Sequence, residues 1–173
     1  MMYIKSPELY RSGIDWLFKL SGYTEEERLK YYGLFIPGNG GAGKTEVCIK
    51  SISSFAENLN ITLTCPTEGQ KPGLSKVKKG NVVLIEDVVK RMLGDDLYAT
   101  CVNEANKTPT DDSPFVRVNG RNVLKSTIKL KDIGADVIIL DEATHVDTWV
   151  HSVLSNYAKQ FNIAVINVGD NYQ

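Results

Sequence analysis

The sequence predicts an α/β protein with a parallel sheet, helices on both faces of that sheet and a small inserted β-hairpin. First, β-branched apolar runs alternate along the chain with segments of helical spacing, an order typical of βαβ units. Second, a glycine-rich turn lies between the first of these runs and the helical segment after it. Third, Asn119-Gly120 stands between two short apolar runs, and this dipeptide favours a two-residue hairpin turn.

Each element follows from local sequence. Apolar runs bounded by turn residues predict strands over 31–37, 60–65, 81–85, 135–140 and 163–168. Capping residues and helical spacing predict a helical segment over 1–30 and helices over 44–58 and 148–159. The alternation of strands and helices is interrupted over about 88–131, where we predict a helix to about residue 98, a polar loop over 107–114 and the hairpin over 115–124. We therefore expect one domain, 1–173, with an inserted region.

Composition narrows the class of protein. The chain has 173 residues, 42% of them hydrophobic, and 20 basic against 21 acidic residues give a net charge of −1. Such a charge argues against a partner bound by bulk electrostatics. No stretch approaches the roughly 18 apolar residues of a membrane span, and no signal peptide is visible, so we expect no membrane partner and a cytoplasmic location, or the host cytoplasm for a viral source. Cys48, Cys65 and Cys101 lack metal spacing and are expected to be reduced and buried.

The glycine-rich turn matches the phosphate-binding pattern G-x-x-x-x-G-K-[ST] and follows a predicted strand. Its glycines allow consecutive N–H groups to point at phosphate oxygens, Lys44 neutralises the charge of the β- and γ-phosphates, and the Thr45 hydroxyl holds Mg²⁺. This P-loop predicts ATP and Mg²⁺ as cofactors. The residues expected to bind nucleotide are Gly38, Gly40, Gly41, Ala42, Gly43, Lys44 and Thr45.

A second motif lies at the end of the apolar strand over 135–140. Asp141 and Glu142 follow that strand directly, so they are expected at the carboxyl edge of the sheet, beside the phosphates. We predict that Asp141 holds Mg²⁺ with Thr45. Glu142 would orient and deprotonate the attacking water, because hydrolysis needs a base beside the γ-phosphate.

Together these motifs resemble the ordered set of superfamily one helicases, most closely the RecD-like branch. The segment over 40–45 looks like motif I and that over 141–147 like motif II, while Gly169-Asp170-Asn171-Tyr172-Gln173 resembles motif III. Cys65-Pro66-Thr67 is similar to motif Ia. The resemblance spans 35–173 and implies a P-loop NTPase whose chain is the first RecA-like domain of a helicase.

The resemblance also implies partners and roles. Gln173 would sense the γ-phosphate, joining Lys44 and Glu142 as catalytic residues. Pro66 and Thr67 would contact single-stranded nucleic acid, with DNA favoured over RNA. A second RecA-like domain, in cis or in trans, would supply arginines to the ATP site. We therefore expect a part of a longer helicase that hydrolyses ATP slowly by itself.

Two segments carry open alternatives. Lysines follow motif Ia, and they either track phosphates or belong to a solvated loop; they are Lys71, Lys76, Lys78 and Lys79. The hairpin is either a plain surface hairpin or a wedge of the kind that RecD-like helicases insert.

The function also has alternatives. A PhoH-like ATPase combines the same motifs, and a terminase-type ATPase shares the first two. A nucleotide-dependent binding module without unwinding activity is the alternative from another class. Stimulation of turnover by nucleic acid would distinguish a motor from such a module.

Overall fold

The computed structural model describes residues 33–38, 60–75 and 82–170, without the side chains of 33–38 and of Asp170. Seven strands lie in this part of the chain: β1 Gly33–Gly38, β2 Ile61–Cys65, β3 Val82–Leu84, β4 Phe115–Val118, β5 Arg121–Leu124, β6 Val137–Leu140 and β7 Ala164–Asp170. Its α-helices are α1 Lys71–Ser75, α2 Ile85–Leu93, α3 Asp95–Glu104 and α4 Thr148–Phe161. Short 3-10 turns cover Glu68–Gln70 and Ala143–His145. The predicted helical segments over 1–30 and 44–58 lie outside the described residues.

Five strands form one sheet in the order β1-β7-β6-β2-β3, and every adjacent pair is parallel. The α/β prediction with a parallel sheet is therefore confirmed. β6, α4 and β7 form a βαβ unit, since β6 and β7 are neighbours in the sheet. Pro37 lies in β1, the outermost strand at its end of the described sheet, which is the kind of strand to which prolines in sheets are largely confined.

The sheet is buried on both faces, as parallel sheets require. In β6 the side chains of Ile138 and Leu140 join a core cluster on one face, and Val137 and Ile139, which point to the other face, are also fully buried. Helices α2, α3 and α4 contribute to that cluster. α2 buries one stripe of side chains at helical spacing; its members are Ile85, Val88, Val89, Met92 and Leu93.

The structure corrects the start of the inserted region. The strand predicted over 81–85 ends at Leu84, and Ile85 already begins α2. The single helix predicted to about residue 98 is two helices, because Gly94 has φ +84° between α2 and α3. A side chain at Gly94 would be strained in that conformation and would meet the Lys131 side chain at 3.0 Å.

The hairpin prediction is confirmed. β4 and β5 pair antiparallel around Asn119 and Gly120, whose φ angles of 50° and 75° are those of a type I′ turn. Asn122 is buried on the inner face, where its Nδ2 group lies 2.8–3.2 Å from three carbonyl oxygens at the end of α3 and just after it, those of Glu104, Ala105 and Lys107. The hairpin is thereby fixed to α3.

The hairpin is fixed to α4 as well. The Ser152 hydroxyl of α4 accepts a hydrogen bond from the N–H of Leu124, and the Asn156 side-chain amide donates one to the Leu124 carbonyl. Phe115 packs against Trp149 with ring centroids 6.0 Å apart. Only the turn and the outer face, which carries the exposed side chains of Val116 and Val118, remain open.

In the described part of the chain, no helix has the length and apolar character needed to cross a membrane. Cys65 and Cys101 are free thiols and buried, as predicted, while Cys48 lies outside the described residues.

Candidate functional site

Asp141 lies at the carboxyl edge of the sheet, immediately after β6. Its N–H donates to the Thr64 carbonyl at 2.9 Å, so the ladder between β6 and β2 continues to this residue. Thr64 is fully buried and its hydroxyl donates to the Ile139 carbonyl at 2.9 Å. Asp141 is therefore held on a rigid strand end and is only half-buried.

Glu142 has an unusual backbone. Its φ and ψ of 52° and 44° are left-handed, a conformation that costs a residue other than glycine about 1–2 kcal/mol. The turn that follows is closed by the His145 N–H, which donates to the Glu142 carbonyl at 3.0 Å. The Glu142 carboxylate lies 3.8 Å from His145 Nε2, and the two side chains are 33% and 50% exposed. Strain kept at a half-exposed acid beside a sheet edge is typical of functional residues.

The first strand reaches the same edge. Gly38, the last residue of β1, is in register with Asp170 of β7, and β7 separates β1 from β6. Because the strands are parallel, the chain after Gly38 leaves the sheet at the edge that carries Asp141 and Glu142. Gly40, Gly41, Ala42, Gly43, Lys44, Thr45 and Gln173 lie outside the described residues.

The turn after β2 carries the predicted nucleic-acid residues. Gln70 Oε1 accepts hydrogen bonds from both the N–H and the hydroxyl of Thr67, at 3.1 and 3.2 Å, and these bonds shape the 3-10 turn. The Lys71 ammonium pairs with Glu68 at 3.1 Å, an exposed i,i+3 ion pair that contributes little to stability. Lys76 lies outside the described residues.

Electrostatics at Cys65 show that this turn and Asp141 are neighbours. Burial raises the pKa of the Cys65 thiol, the Asp141 carboxylate raises it further, and the Lys71 ammonium lowers it. The thiol donates to the Thr67 carbonyl at 3.4 Å. Asp141, a predicted metal ligand, and Lys71, a predicted nucleic-acid residue, are therefore both close enough to Cys65 for their charges to act on its thiol.

The sequence did not reveal a groove that begins at this edge, which we call the α4 groove. It consists of two adjoining cavities of about 360 and 310 Å³. Both are lined by Ala105, Asn106, Asp147 and Trp149. The larger cavity also contacts Pro66, and the smaller one reaches the hairpin turn at Gly120. The groove therefore extends from the end of β2 to the hairpin, across the first turn of α4.

The described part of the site offers one predicted metal ligand, Asp141. Over 33–38, 60–75 and 82–170, no group of three or more histidine, cysteine, aspartate or glutamate side chains is arranged to hold a metal ion. Of the two carboxylates at this edge, those of Asp141 and Glu142, the Asp141 carboxylate is the predicted metal ligand. One carboxylate together with substrate phosphates is the ligand pattern that Mg²⁺ uses in many nucleotide sites.

We compared the sequence with protein-family models and with curated proteins. No protein-family model matches the sequence, and no curated protein matches it either.

Proposed function

We propose that this chain is an ATP-binding and ATP-hydrolysing motor domain of the superfamily one helicase type. The main support is that Asp141 and Glu142 directly follow β6 of the parallel sheet, at the edge where Gly38 ends β1. The sequence G-x-x-x-x-G-K-T begins at that glycine. A phosphate-binding loop and an acidic pair at one carboxyl edge are the parts that phosphoryl transfer requires.

In this proposal the chain's own residues divide the work. Lys44 and the backbone N–H groups over 40–45 bind the triphosphate, and Thr45 with Asp141 would hold Mg²⁺. The metal ion, when bound, neutralises charge that develops on the β- and γ-phosphate oxygens. Glu142 takes the proton of the attacking water, and Gln173 registers the loss of the γ-phosphate.

The strained turn at Glu142 supports the role of base. A left-handed residue turns the chain sharply at the end of β6, and the 3-10 turn over 143–145 then fixes that direction. The carboxylate stays 33% exposed, so water can reach it. A base must combine a fixed position with access to water, and Glu142 has both.

The proposed nucleic-acid partner is a single strand, DNA before RNA, contacted by Pro66, Thr67, Lys71 and Lys76. The location of the turn after β2 supports this step, because that turn adjoins Asp141 at the same edge. A second RecA-like domain would complete the ATP site with arginines.

ATP hydrolysis tests the proposal. We expect Mg²⁺-dependent hydrolysis by the wild-type chain that single-stranded nucleic acid stimulates, loss of ATP binding in Lys44→Ala, and ATP binding without turnover in Glu142→Gln. Glu104→Gln is the matched control, since its carboxylate forms only a 3.7 Å surface pair with Lys107. Equal ATP affinity of Lys44→Ala and wild type in calorimetry would refute the P-loop assignment, and equal turnover by Glu142→Gln would refute the assignment of the base. Hydrolysis that no nucleic acid stimulates would favour a binding module over a motor.

A further inference from the structure

We propose that the α4 groove binds one nucleotide unit, with its phosphate at the hairpin end and its base at the opposite end, and that it prefers bases that carry an exocyclic amino group. This inference rests on the proposed function for its biological setting, because it names the contact that a nucleic-acid partner would make. Its residues lie outside the motifs discussed above, apart from Pro66 and residues 145–147 of motif II, of which Asp147 lines both cavities.

The hairpin end of the groove is cationic. Arg117 and Arg121 line the smaller cavity together with Thr148, the first residue of α4. Arg121 is exposed and forms no ion pair with any residue that the structure describes. Arg117 donates one bond to the Asn122 amide oxygen at 3.1 Å, which fixes the direction of its guanidinium group. An arginine held in this way keeps further N–H donors for a phosphate.

The first turn of α4 adds to this end. The N–H groups of Val150 and His151 donate to the Asp147 carbonyl, and the Asp147 side chain makes no capping bond. Because Thr148 and Trp149 line the smaller cavity, the positive end of the α4 dipole lies at the same cavity as the two arginines. Asp147 also lines this cavity, so two basic residues and one acidic residue contribute to its wall.

The opposite end is aromatic and acidic. Tyr98 and Val102 are one turn apart on α3 and face the larger cavity with Trp149. The rings of Tyr98 and Trp149 have centroids 6.3 Å apart, and Val102 is 51% exposed. Glu86 lines the same cavity; burial raises the pKa of the Tyr98 hydroxyl, and the nearby Glu86 carboxylate raises it further. Lys90 Nζ lies 5.9 Å from the centre of the Tyr98 ring.

The arrangement of charge selects the class of ligand. A phosphate is attracted to the arginine end, and Glu86 repels it from the other end. An aromatic ring finds apolar contact at Tyr98 and Val102, and the Glu86 carboxylate can accept a hydrogen bond from an amino group on that ring. A nucleotide carries an anion at one end and such a ring at the other. Adenine, cytosine and guanine have the amino group, whereas thymine and uracil lack it.

Fluorescence anisotropy of labelled single-stranded oligonucleotides, measured without ATP, tests the inference. We expect wild-type protein to bind dC and dA 12-mers more tightly than a dT 12-mer. Arg121→Ala should weaken all three by about tenfold at low salt, and it should lower the slope of log K against log salt by about 0.7, the value for one lost phosphate contact on a single strand. Arg91→Ala is the matched control, because Arg91 is exposed on α2 and does not line the groove.

Glu86→Gln tests the base end separately. Its amide both accepts and donates, so we expect the preference against dT to disappear while the salt dependence stays that of the wild type. Competition of dC 12-mer binding by CMP or by unlabelled dC 12-mer distinguishes a free nucleotide from a strand as the source of the ligand. Thermal melting of each variant, with Arg121→Lys as a rescue variant, shows that a weakened affinity does not come from unfolding.

The inference is overturned if Arg121→Ala and Arg91→Ala bind alike, or if the wild type shows no preference among the three oligonucleotides. Hydrolysis measured without oligonucleotide is a separate readout. ATP turnover with no groove-dependent binding would contradict this inference and leave the proposed function standing. Groove-dependent binding with no turnover would contradict the proposed function and support the inference.

Discussion

Replacement of Glu142 by glycine should stabilise the protein while it abolishes hydrolysis. The left-handed backbone at this residue, φ 52° and ψ 44°, costs about 1–2 kcal/mol with a side chain and almost nothing with glycine. Glycine has more backbone freedom in the unfolded chain than glutamate, and this entropy reduces the gain in stability by about 0.5–1 kcal/mol. The 3.8 Å contact to the half-exposed His145 contributes little. The net expectation is a gain of about 0.7 kcal/mol, or about 2 °C in melting temperature for a chain of this size.

Calorimetric melting of three variants isolates this effect. Glu142→Gln keeps a side chain on the left-handed backbone, so it should not gain stability, and under the proposed role of Glu142 as the base it should lose turnover. Asn162→Gly changes the other helix-associated left-handed residue, φ 51° at the end of α4, and should gain less because asparagine tolerates this conformation better than glutamate. If Glu142→Gly melts at or below the wild-type temperature while Asn162→Gly gains, the strain argument is refuted.

Two further perturbations address the inserted region. Asn122→Ala leaves the carbonyls at the end of α3 without their buried donor, so it should reduce the free energy of unfolding by about 2 kcal/mol and lower the melting temperature by about 4–8 °C. Asn106→Ala, at an exposed residue, should change the melting temperature little. Equal melting temperatures of the two variants would show that Asn122 does not anchor the hairpin. Burial raises the pKa of the Cys101 thiol from 9.0 to about 11, so the unfolded chain releases this proton first and stability should fall as the pH rises from 9 toward 11. The decline should be shallower in Cys101→Ala under urea titration, and an identical pH profile in that variant would contradict the burial argument.

Much of the fold could be predicted because strands β2, β6 and β7 are short runs rich in β-branched residues, and such runs are typical of strands buried on both faces of a sheet. The hairpin could be predicted because Asn119 and Gly120 both accept positive φ. The end of β3 could not, since Ile85 is buried whether it ends a strand or begins a helix. The acids at Glu86 and Asp87, favourable in a first helical turn, were the available signal for α2.

For the site, sequence placed Asp141 well because any residue after a parallel strand lies at the carboxyl edge. It could not indicate the left-handed turn at Glu142, since glutamate seldom adopts that conformation. The α4 groove could not be predicted from the sequence for another reason. Its walls come from α3, the hairpin and the start of α4, and only their packing brings Tyr98, Arg121 and Trp149 to one cavity system.

The inserted region forms part of the wall of the α4 groove. Without β4 and β5, the smaller cavity would lose the wall that carries both arginines. Asn122 fixes the hairpin to α3, and Ser152 fixes it to α4, so its turn is held at the groove and not left to move freely. The segment over 141–148 connects the acidic pair to the first turn of α4, and His151 Nε2 lies 2.7 Å from the carbonyl oxygen of the buried Ala143 within that segment. The His151–Ala143 contact therefore holds the turn that follows Glu142 against the first turns of α4, so the acidic pair and the groove wall are joined by one short, packed segment.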